Sequence, residues 1–530
     1  MMANPTRDLL IGIDAGTSVI KSIAFNLAGR QIAGASLPNR YTTRPDGAAF
    51  QSLDQTWADC ARTLRDLADL VPNLARRTAA IAVTAQGDGT WLVGKDDRPV
   101  TDGWIWLDAR AASTVQRLRA LPGDRSRFET TGTGLNACQM GTQLAHMLAT
   151  TPEMLALAEA ALHPKDWLYL NLTGQRATDP SEANFTFGNF RTRRYEAEVI
   201  AALGLTAQRH LLPEIVDGSQ TTHKLSQKAA SETGLLAGTP VSLGYVDVVC
   251  TALGAGVYTE AGQGATGQGG TSTGCTVIGS TGMHMLAKPV ADVVLNAEST
   301  GYVMVLPLAG MVAQMHSNMA STLNIDWALN LAAGLAAELG QPVTKADLLA
   351  RIDGWLAATK PGALLYHPYI SEAGERGPFV DTTARASFIG LNATHLFADL
   401  MRAVIEGLGL AARDCYSAMG AMPAELRLTG GAARSRGLRA ILAAAIGSPT
   451  RVSAREEAGA AGAAMMAAVA NGHYASMDAC LAEWVTPLLG PAEPADPDLS
   501  ATYVALYPTY LTARRALAPV WAGLAHQQDQ

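Results

Sequence analysis

Residues 10–21 read LIGIDAGTSVIK, an apolar run that meets Asp14, then Gly16, Thr17 and Ser18, and resumes through Val19 and Ile20 to Lys21. A Gly-Thr-Ser turn offers successive backbone N–H groups and two hydroxyls, donors that suit phosphate oxygens. A carboxylate at the strand end, Asp14, would orient Mg²⁺ through water, because Mg²⁺ keeps much of its hydration shell. Lys21 points either to such a site or to solvent. The plain alternative is an ordinary β-hairpin, since a motif stays a hypothesis until its context supports it.

Four further stretches carry chemistry. Gly279, Ser280, Thr281 and Gly282 repeat the first turn between two apolar strands, and Gly270-Thr271-Ser272 is the rival for the same role. LTGGAARSRGL (428–438) places Gly430, Gly431 and Ala432 after a strand. Glycine lets backbone approach a flat ligand such as adenine, and Ser435 could cap the following helix; a plain strand-to-helix turn explains the stretch equally. In SLGYVDVVCTALGAG (242–256), Asp247 interrupts an apolar run. It is either a helix cap or the carboxylate that takes a proton from a hydroxyl during phosphoryl transfer. AVTAQGDGTWLV (82–93) and GWIWLDARA (103–111) hold Gln86, Asp88, Trp106, Asp108 and Arg110. Carboxylates and amides accept hydroxyl hydrogen bonds, and an indole face covers a carbon chain, as a polyol pocket needs. Alternatively, Trp104 and Trp106 are core residues and Asp108 pairs with Arg110.

These residues need elements to position them. Residues 8–13 and 19–25 read as strands, with a third strand after Gly29. SLDQTWADCARTLRDLADL (52–70) has a Ser N-cap signal and helical apolar spacing, and TAAIAVTAQG (78–87) reads as a buried strand. This β-β-β-α-β order opens an α/β domain with a mixed sheet. A related plan returns in a strand-turn-strand at 275–286, a helix at 397–419, a strand at 425–431 and helices at 438–447 and 456–472. A boundary near 250–265 is expected, beside a Gly-rich stretch (259–274) that reads as a flexible loop. A Pro-rich stretch, 485–499, precedes a final helix with Tyr503, Tyr507 and Tyr510.

The chain's 530 residues exceed what one core usually serves. With 48% hydrophobic and 16% charged residues the balance is globular, and abundant Ala and Gly favour helices packed closely on sheets. A net charge of −7 argues against a nucleic-acid partner, because phosphate backbones need a basic surface. The six cysteines are scattered without a CxxC, so neither a disulfide framework nor a zinc site is expected. The N-terminus does not read as a signal peptide. The longest small-apolar run, 458–470, is shorter than the roughly 20 residues of a membrane span. A cytoplasmic protein without a membrane partner is expected.

Together these stretches resemble the FGGY family of carbohydrate kinases, within the actin/hexokinase/Hsp70 superfamily. The resemblance runs from IGIDAGTSVIK to the EEAGAAGAAMMA helix. HPKDWLYLNLTGQRATDPSEA (163–183) is similar to a family segment that ends in Leu-Thr-Gly and Asp-Pro-Ser. ASFIGLNATHLFADLMRAVIEG (386–407) is similar to the second family signature, with Gly390-Leu391, then Asp399, then Ala403-Val404-Ile405-Glu406. The resemblance implies two actin-like (ribonuclease H-like) α/β domains around a deep cleft. Domain 1–257 would hold the acceptor pocket, first phosphate motif and catalytic Asp; domain 258–530 would hold the second phosphate motif, adenosine motif and C-terminal helix.

The resemblance also implies roles. ATP and Mg²⁺ would be the cofactors, with Asp14 meeting Mg²⁺ through water. Asp14, Gly16, Thr17, Ser18 and Lys21 would form the first phosphate motif, and Gly279, Ser280 and Thr281 the second. Gly430, Gly431, Ala432 and Ser435 would bind adenosine, and Asp247 would be the base. Gln86, Asp88, Trp106, Cys138 and Gln139 would join Asp247 around a small polyol. Glycerol kinases carry Gln-Arg-Glu where this chain has Gln86-Gly87-Asp88, and a Tyr near Cys138, which argues against glycerol. QGDGTWLVGKD, HPKDWLYLNLTG and GYVDVV are most similar to one subfamily, and that resemblance implies erythritol as acceptor, giving erythritol phosphate and ADP. Ribitol, xylitol, xylulose and glycerol are the alternative acceptors, and a non-catalytic sugar sensor is the reading from another class. A homodimer is left open.

Overall fold

LLIGIDA forms β1 (Leu9–Ala15) and VIKSIAFN forms β2 (Val19–Asn26), an antiparallel hairpin in which Ala15 faces Ile20. The computed structural model that supplies these elements describes residues 7–257 and 272–528. Gly270, Thr271 and most of the Gly-rich stretch therefore lie outside the described residues. β3 (Gln31–Pro38) pairs antiparallel with β2. TAAIAVTA forms β4 (Thr78–Ala85), buried along its length and parallel to β1. A strand covered on both faces reads as a continuous apolar run, which is why β1 and β4 show no alternation. With β5 (Thr222–Lys224) and β6 (Pro240–Leu243) the sheet order is β5-β6-β4-β1-β2-β3.

The helix Leu53–Leu70 follows the expected span, and the Ser52 side chain accepts the Gln55 N–H at 3.3 Å. Its buried Leu53, Trp57, Cys60, Leu64 and Leu67 form one apolar stripe in the core of this sheet.

The second half builds the same plan. β7 (Thr273–Ile278) and β8 (Gly282–Pro289) are an antiparallel hairpin. β7 runs parallel to β9 (Glu425–Thr429), as β1 does to β4, and β9 runs parallel to β10 (Thr450–Val452). The helix Phe397–Ala418 packs Met401, Val404, Ile405 and Leu408 into this core. The helix Arg436–Ile446 is capped by Ser435, whose hydroxyl accepts the Leu438 N–H at 3.3 Å. The final helix, Pro497–Gln528, buries Tyr503 and Tyr510.

The chain divides into two compact units. Two segments from the span expected as the second domain, Tyr302–Ala313 and Arg455–Leu488, pack with the first unit. The reason is visible in the helix Ala458–Ala470, AGAAGAAMMAAVA. A Cβ on Gly12 would lie 2.0 Å from the Ala460 carbonyl oxygen, and one on Gly462 would lie 2.0 Å from that of Cys250. Glycine on both sides of the contact lets this helix seat directly on β1 and on the helix Asp247–Ala255. No helix among the described residues is long and apolar enough to cross a membrane.

Candidate active site

The turn between β1 and β2 is aimed from behind. The Gly16 carbonyl accepts from Asn39 Nδ2 at 2.8 Å, Thr17 from Gln51 Nε2 at 3.1 Å, and Ser18 from the Asn39 N–H at 2.8 Å. In a trans peptide the N–H points opposite to the C=O. Tying back three successive carbonyls therefore turns the N–H groups of Thr17, Ser18 and Val19 the other way. Such a row of donors makes an anion-binding concavity.

Asp14 lies at the end of β1 and is half-buried. Burial pushes its carboxyl up to about 6; Lys21 opposes that shift and Glu457 adds to it. Lys21 donates to Glu457 at 2.8 Å, an ion pair within the same unit. Asp247 is the first residue of the helix Asp247–Ala255, with Val246 in the N-cap position. Its Oδ1 accepts the Val248 N–H at 2.7 Å. Burial raises its pKa well above the usual range, and the Asp14 charge raises it further. The two carboxylates thus share one field while the nearest lysine is already paired. Among the described residues no group of three or more His, Cys, Asp or Glu side chains could hold a metal ion, so Asp14 and Asp247 would meet Mg²⁺ through its water shell, as a strongly hydrated cation allows.

Of the residues expected around the acceptor, Gln86 and Trp106 converge on the first turn, while Asp88, Cys138 and Gln139 bond elsewhere. Thr17 Oγ1 donates to Gln86 Oε1 at 2.9 Å and accepts from Trp106 Nε1 at 2.7 Å. Gln86 Nε2 donates to Gln51 Oε1 at 2.6 Å, closing a ring through Gln51 back to Thr17. The Thr17 hydroxyl is thereby committed to its own unit. Asp88 holds a left-handed backbone, φ +60°, and its Oδ2 accepts from the Cys138 thiol at 3.4 Å. Gln139 spends its amide on its own loop, donating to the Gly134 carbonyl and accepting the Asn136 N–H. Asp108 and Arg110 pair with each other at 2.6 Å, the second of the two sequence options. A Cβ on Gly87 would lie 2.5 Å from Val246 Cγ2 and 3.1 Å from Glu182 Oε1, which leaves no room there for an arginine.

In the second unit the Gly279–Thr281 turn is braced in a parallel way. The Gly279 carbonyl accepts from Thr322 N–H and Oγ1, at 3.0 and 2.9 Å, and that of Ser280 accepts from the Ser321 N–H at 2.7 Å. The N–H groups of Ser280 and Thr281 are turned outward. Gly430, at φ +93°, abuts this hairpin, since a Cβ there would lie 2.4 Å from the Ile278 carbonyl oxygen. Ser435 lines a cavity of about 430 Å³ with Thr322, Ile325, Asp326, Ile352 and Arg434. The structure thus places the Gly279–Thr281 turn and the Gly430–Ser435 stretch, expected to meet phosphate and adenosine, at one end of the second sheet.

Residues 9–254 match the N-terminal domain model of the FGGY family of carbohydrate kinases, and residues 269–471 match the C-terminal one. The chain is an FGGY carbohydrate kinase. It is 64% identical over 98% of both chains to "Erythritol kinase" of Brucella abortus, and 28% identical to "Autoinducer-2 kinase" of Yersinia pestis over 89% of this chain and 88% of that one. Its fold matches a solved ligand-bound xylulose kinase from Lactobacillus acidophilus with a TM-score of 0.85 and 20% identity, over 97% of this chain and 99% of that one. The two-domain α/β sugar-kinase fold expected from sequence is therefore this kinase's fold.

Sequence reasoning on the kinase did not single out Gln51, Glu182 or Lys165. Gln51 sits in a short strand, AFQ, with no motif around it. A signal for the other two existed: the helix PKDWLYLNLT carries Lys165 beside Asp166 in an apolar run, and PSEANFTF carries Glu182 among residues that are all buried, and charged residues are almost never fully buried unless paired.

Proposed function

We propose that this kinase transfers the γ-phosphoryl group of ATP to a primary hydroxyl of erythritol in the cytoplasm, where ATP is supplied. The observation that carries this reading is the 64% identity with the Brucella abortus protein along nearly the whole of both chains. The hydrogen bonds that gather Gln86 and Trp106 on the Thr17 hydroxyl support a polar acceptor pocket beside a phosphate turn.

Asp247 is the base. Its carboxylate takes the hydroxyl proton as the oxygen attacks the γ-phosphorus in line, and the bond to the β-phosphate oxygen breaks to release ADP. Phosphoryl transfer needs little covalent help from a protein, so positioning and charge stabilisation dominate. The outward N–H groups of the Gly16–Ser18 and Gly279–Thr281 turns take nucleotide phosphate oxygens. Lys21 reaches this charge only as part of its Glu457 pair. Gly430, Gly431, Ala432 and Ser435 take the adenosine. Mg²⁺, held through water by Asp14, supplies charge neutralisation when bound. Gln86 and Asp88 accept acceptor hydroxyls, Trp106 covers the carbon chain, and Cys138 and Gln139 shape the Asp88 side.

A coupled ADP-release assay over glycerol, erythritol, L-threitol, ribitol, xylitol and D-xylulose tests the reading. Erythritol is expected to give a kcat/KM at least about tenfold above the others, a discrimination of about 1.4 kcal/mol. A higher value for another acceptor would reassign the substrate, and no acceptor-dependent ADP at all would remove the kinase reading of the site.

A further inference from the structure

Lys165 is fully buried, and its ammonium touches Asp166 Oδ1 and Asp179 Oδ1, each at 2.7 Å. Burial works against its charge, but Asp166, Asp179 and Glu182 outweigh it and keep the lysine protonated. A buried ion costs several kcal/mol unless its partners are well placed, so such a group is weak evidence for stability alone. Two separate chains of contacts lead away from it.

The first runs through Asp166. Its Oδ2 meets His163 Nδ1 at 3.1 Å, and His163 Nε2 lies 3.4 Å from Glu182 Oε2. Glu182 Oε1 accepts the backbone N–H of Asp88 at 3.2 Å. Asp88 needs such a hold, because a left-handed backbone in a non-glycine residue is unfavourable on its own. The second chain runs through Asp179. Its Oδ2 accepts both the N–H of Ser181, at 2.6 Å, and the Ser181 hydroxyl. Ser181 Oγ in turn accepts the Val246 N–H at 3.1 Å, one residue before Asp247.

We infer that Lys165 is a positioning residue with two arms, one fixing the acceptor carboxylate Asp88 through Glu182 and the other fixing the base Asp247 through Ser181. This rests on the reading of Asp88 and Asp247 given under the proposed function. Every residue named in the two arms lies within the first unit.

The arms are separable by kinetics. Ser181→Ala leaves the Val246 N–H without its acceptor and loosens the base. It is expected to lower kcat about tenfold while the KM for erythritol stays within about twofold. Glu182→Ala removes the acceptor of the Asp88 N–H, and the expected result is an erythritol KM raised about tenfold with kcat within about threefold. Glu182→Gln keeps an oxygen at that position and restores KM to within about threefold of wild type. Lys165→Met should combine both losses; should it fail to fold, the single-arm variants still decide. A melting temperature is recorded for each variant.

If Ser181→Ala and Glu182→Ala move kcat and KM together, or move only the melting temperature, the network is structural and the inference falls. A wild type that releases no ADP with erythritol overturns the functional reading, and the inference with it. An active wild type whose variants do not split overturns the inference alone.

Discussion

In the first unit, two side-chain amides, Asn39 and Gln51, hold back the Gly16 and Thr17 carbonyls of the turn, and the Asn39 backbone N–H holds that of Ser18. In the second, backbone N–H groups at Ser321 and Thr322 hold the Ser280 and Gly279 carbonyls, with the Thr322 hydroxyl as a second donor to Gly279 and no side-chain amide among the donors described. A backbone brace depends little on residue type, because the donor is present in any residue except proline. An amide brace is a choice of residue, and it connects the turn to whatever else the amide bonds. Gln51 also receives Gln86 Nε2, so the first turn is tied to a residue proposed to meet the acceptor, while the second is tied to the start of the helix Thr322–Glu338. The charges differ in the same sense. Asp14 stands one residue before the end of β1, whereas Val277 stands one before the end of β7. Below β7 the polar groups form a neutral chain: Thr276 Oγ1 meets His284 Nδ1 at 3.1 Å, and His284 Nε2 donates to Asn318 Oδ1 at 3.0 Å. On the proposed reading, the first unit carries the groups that would distinguish and deprotonate an alcohol, and the second offers neutral donors, which suffice for phosphate.

The hardest test of this division is Asp247→Asn. The amide is nearly the same size and still accepts the Val248 N–H, so the fold should survive, but it cannot take a proton. A general base contributes on the order of 10²- to 10⁴-fold, and kcat with erythritol should fall by that much while the nucleotide KM stays near wild type. A variant that keeps more than about a tenth of wild-type turnover would move the base elsewhere and remove the chemical asymmetry between the units.

Much of this asymmetry was legible before any coordinates. The Gly16–Ser18 turn, the Ser52 and Ser435 caps and Asp247 at a helix start are local signals, fixed within a few residues by period and capping chemistry. The Gln51 brace was not legible, because it bonds Thr17 and Gln86, which lie 34 and 35 residues away. Nor were the Glu182 contact to Asp88, across 94 residues, and that of Ser181 to Val246, across 65. Such pairs exist only once the sheet has formed. The helix Ala458–Ala470 was legible as buried but not as belonging with β1. An all-round small-residue helix has no polar face to indicate which sheet it joins.

The bracing difference gives a smaller, paired test. Gln51→Leu strands both the Thr17 carbonyl and Gln86 Nε2, and each buried polar group left without a partner costs about 1–3 kcal/mol. The KM values for ATP and for erythritol should both rise, each about tenfold, since one residue serves both. Thr322→Val removes only the hydroxyl bond to Gly279 and keeps the backbone N–H. Its effect should stay under about threefold and appear in the ATP KM alone. Equal responses of both substrates to Thr322→Val would mean that the second turn is also wired to the acceptor, and the contrast would fail.

The smallest expected effect is in stability against pH, where the two units should respond with opposite sign. Burial lowers His284 from 6.5 to about 4 and His316 from 6.5 to about 3, so both stay neutral in the folded second unit. An unfolded chain would protonate both below 6.5, and stability falls where the unfolded state binds more protons. Their contribution is therefore full above 6.5 and lost as pH drops toward 4, offset in part by Glu375, which burial raises to about 7, and by Glu406 and Asp414, which burial also raises. In the first unit, burial raises Glu182 from 4.5 to about 7. That contribution is full below 4.5 and lost as pH climbs through 7. Hydrogen exchange at pH 5.5 and 7.5, corrected for intrinsic rates, reads each unit separately. On acidification the amides around Thr276 and His284 should lose protection while those around Glu182 hold or gain it. Parallel loss in both units would mean that the neutral chain under β7 is not what separates them.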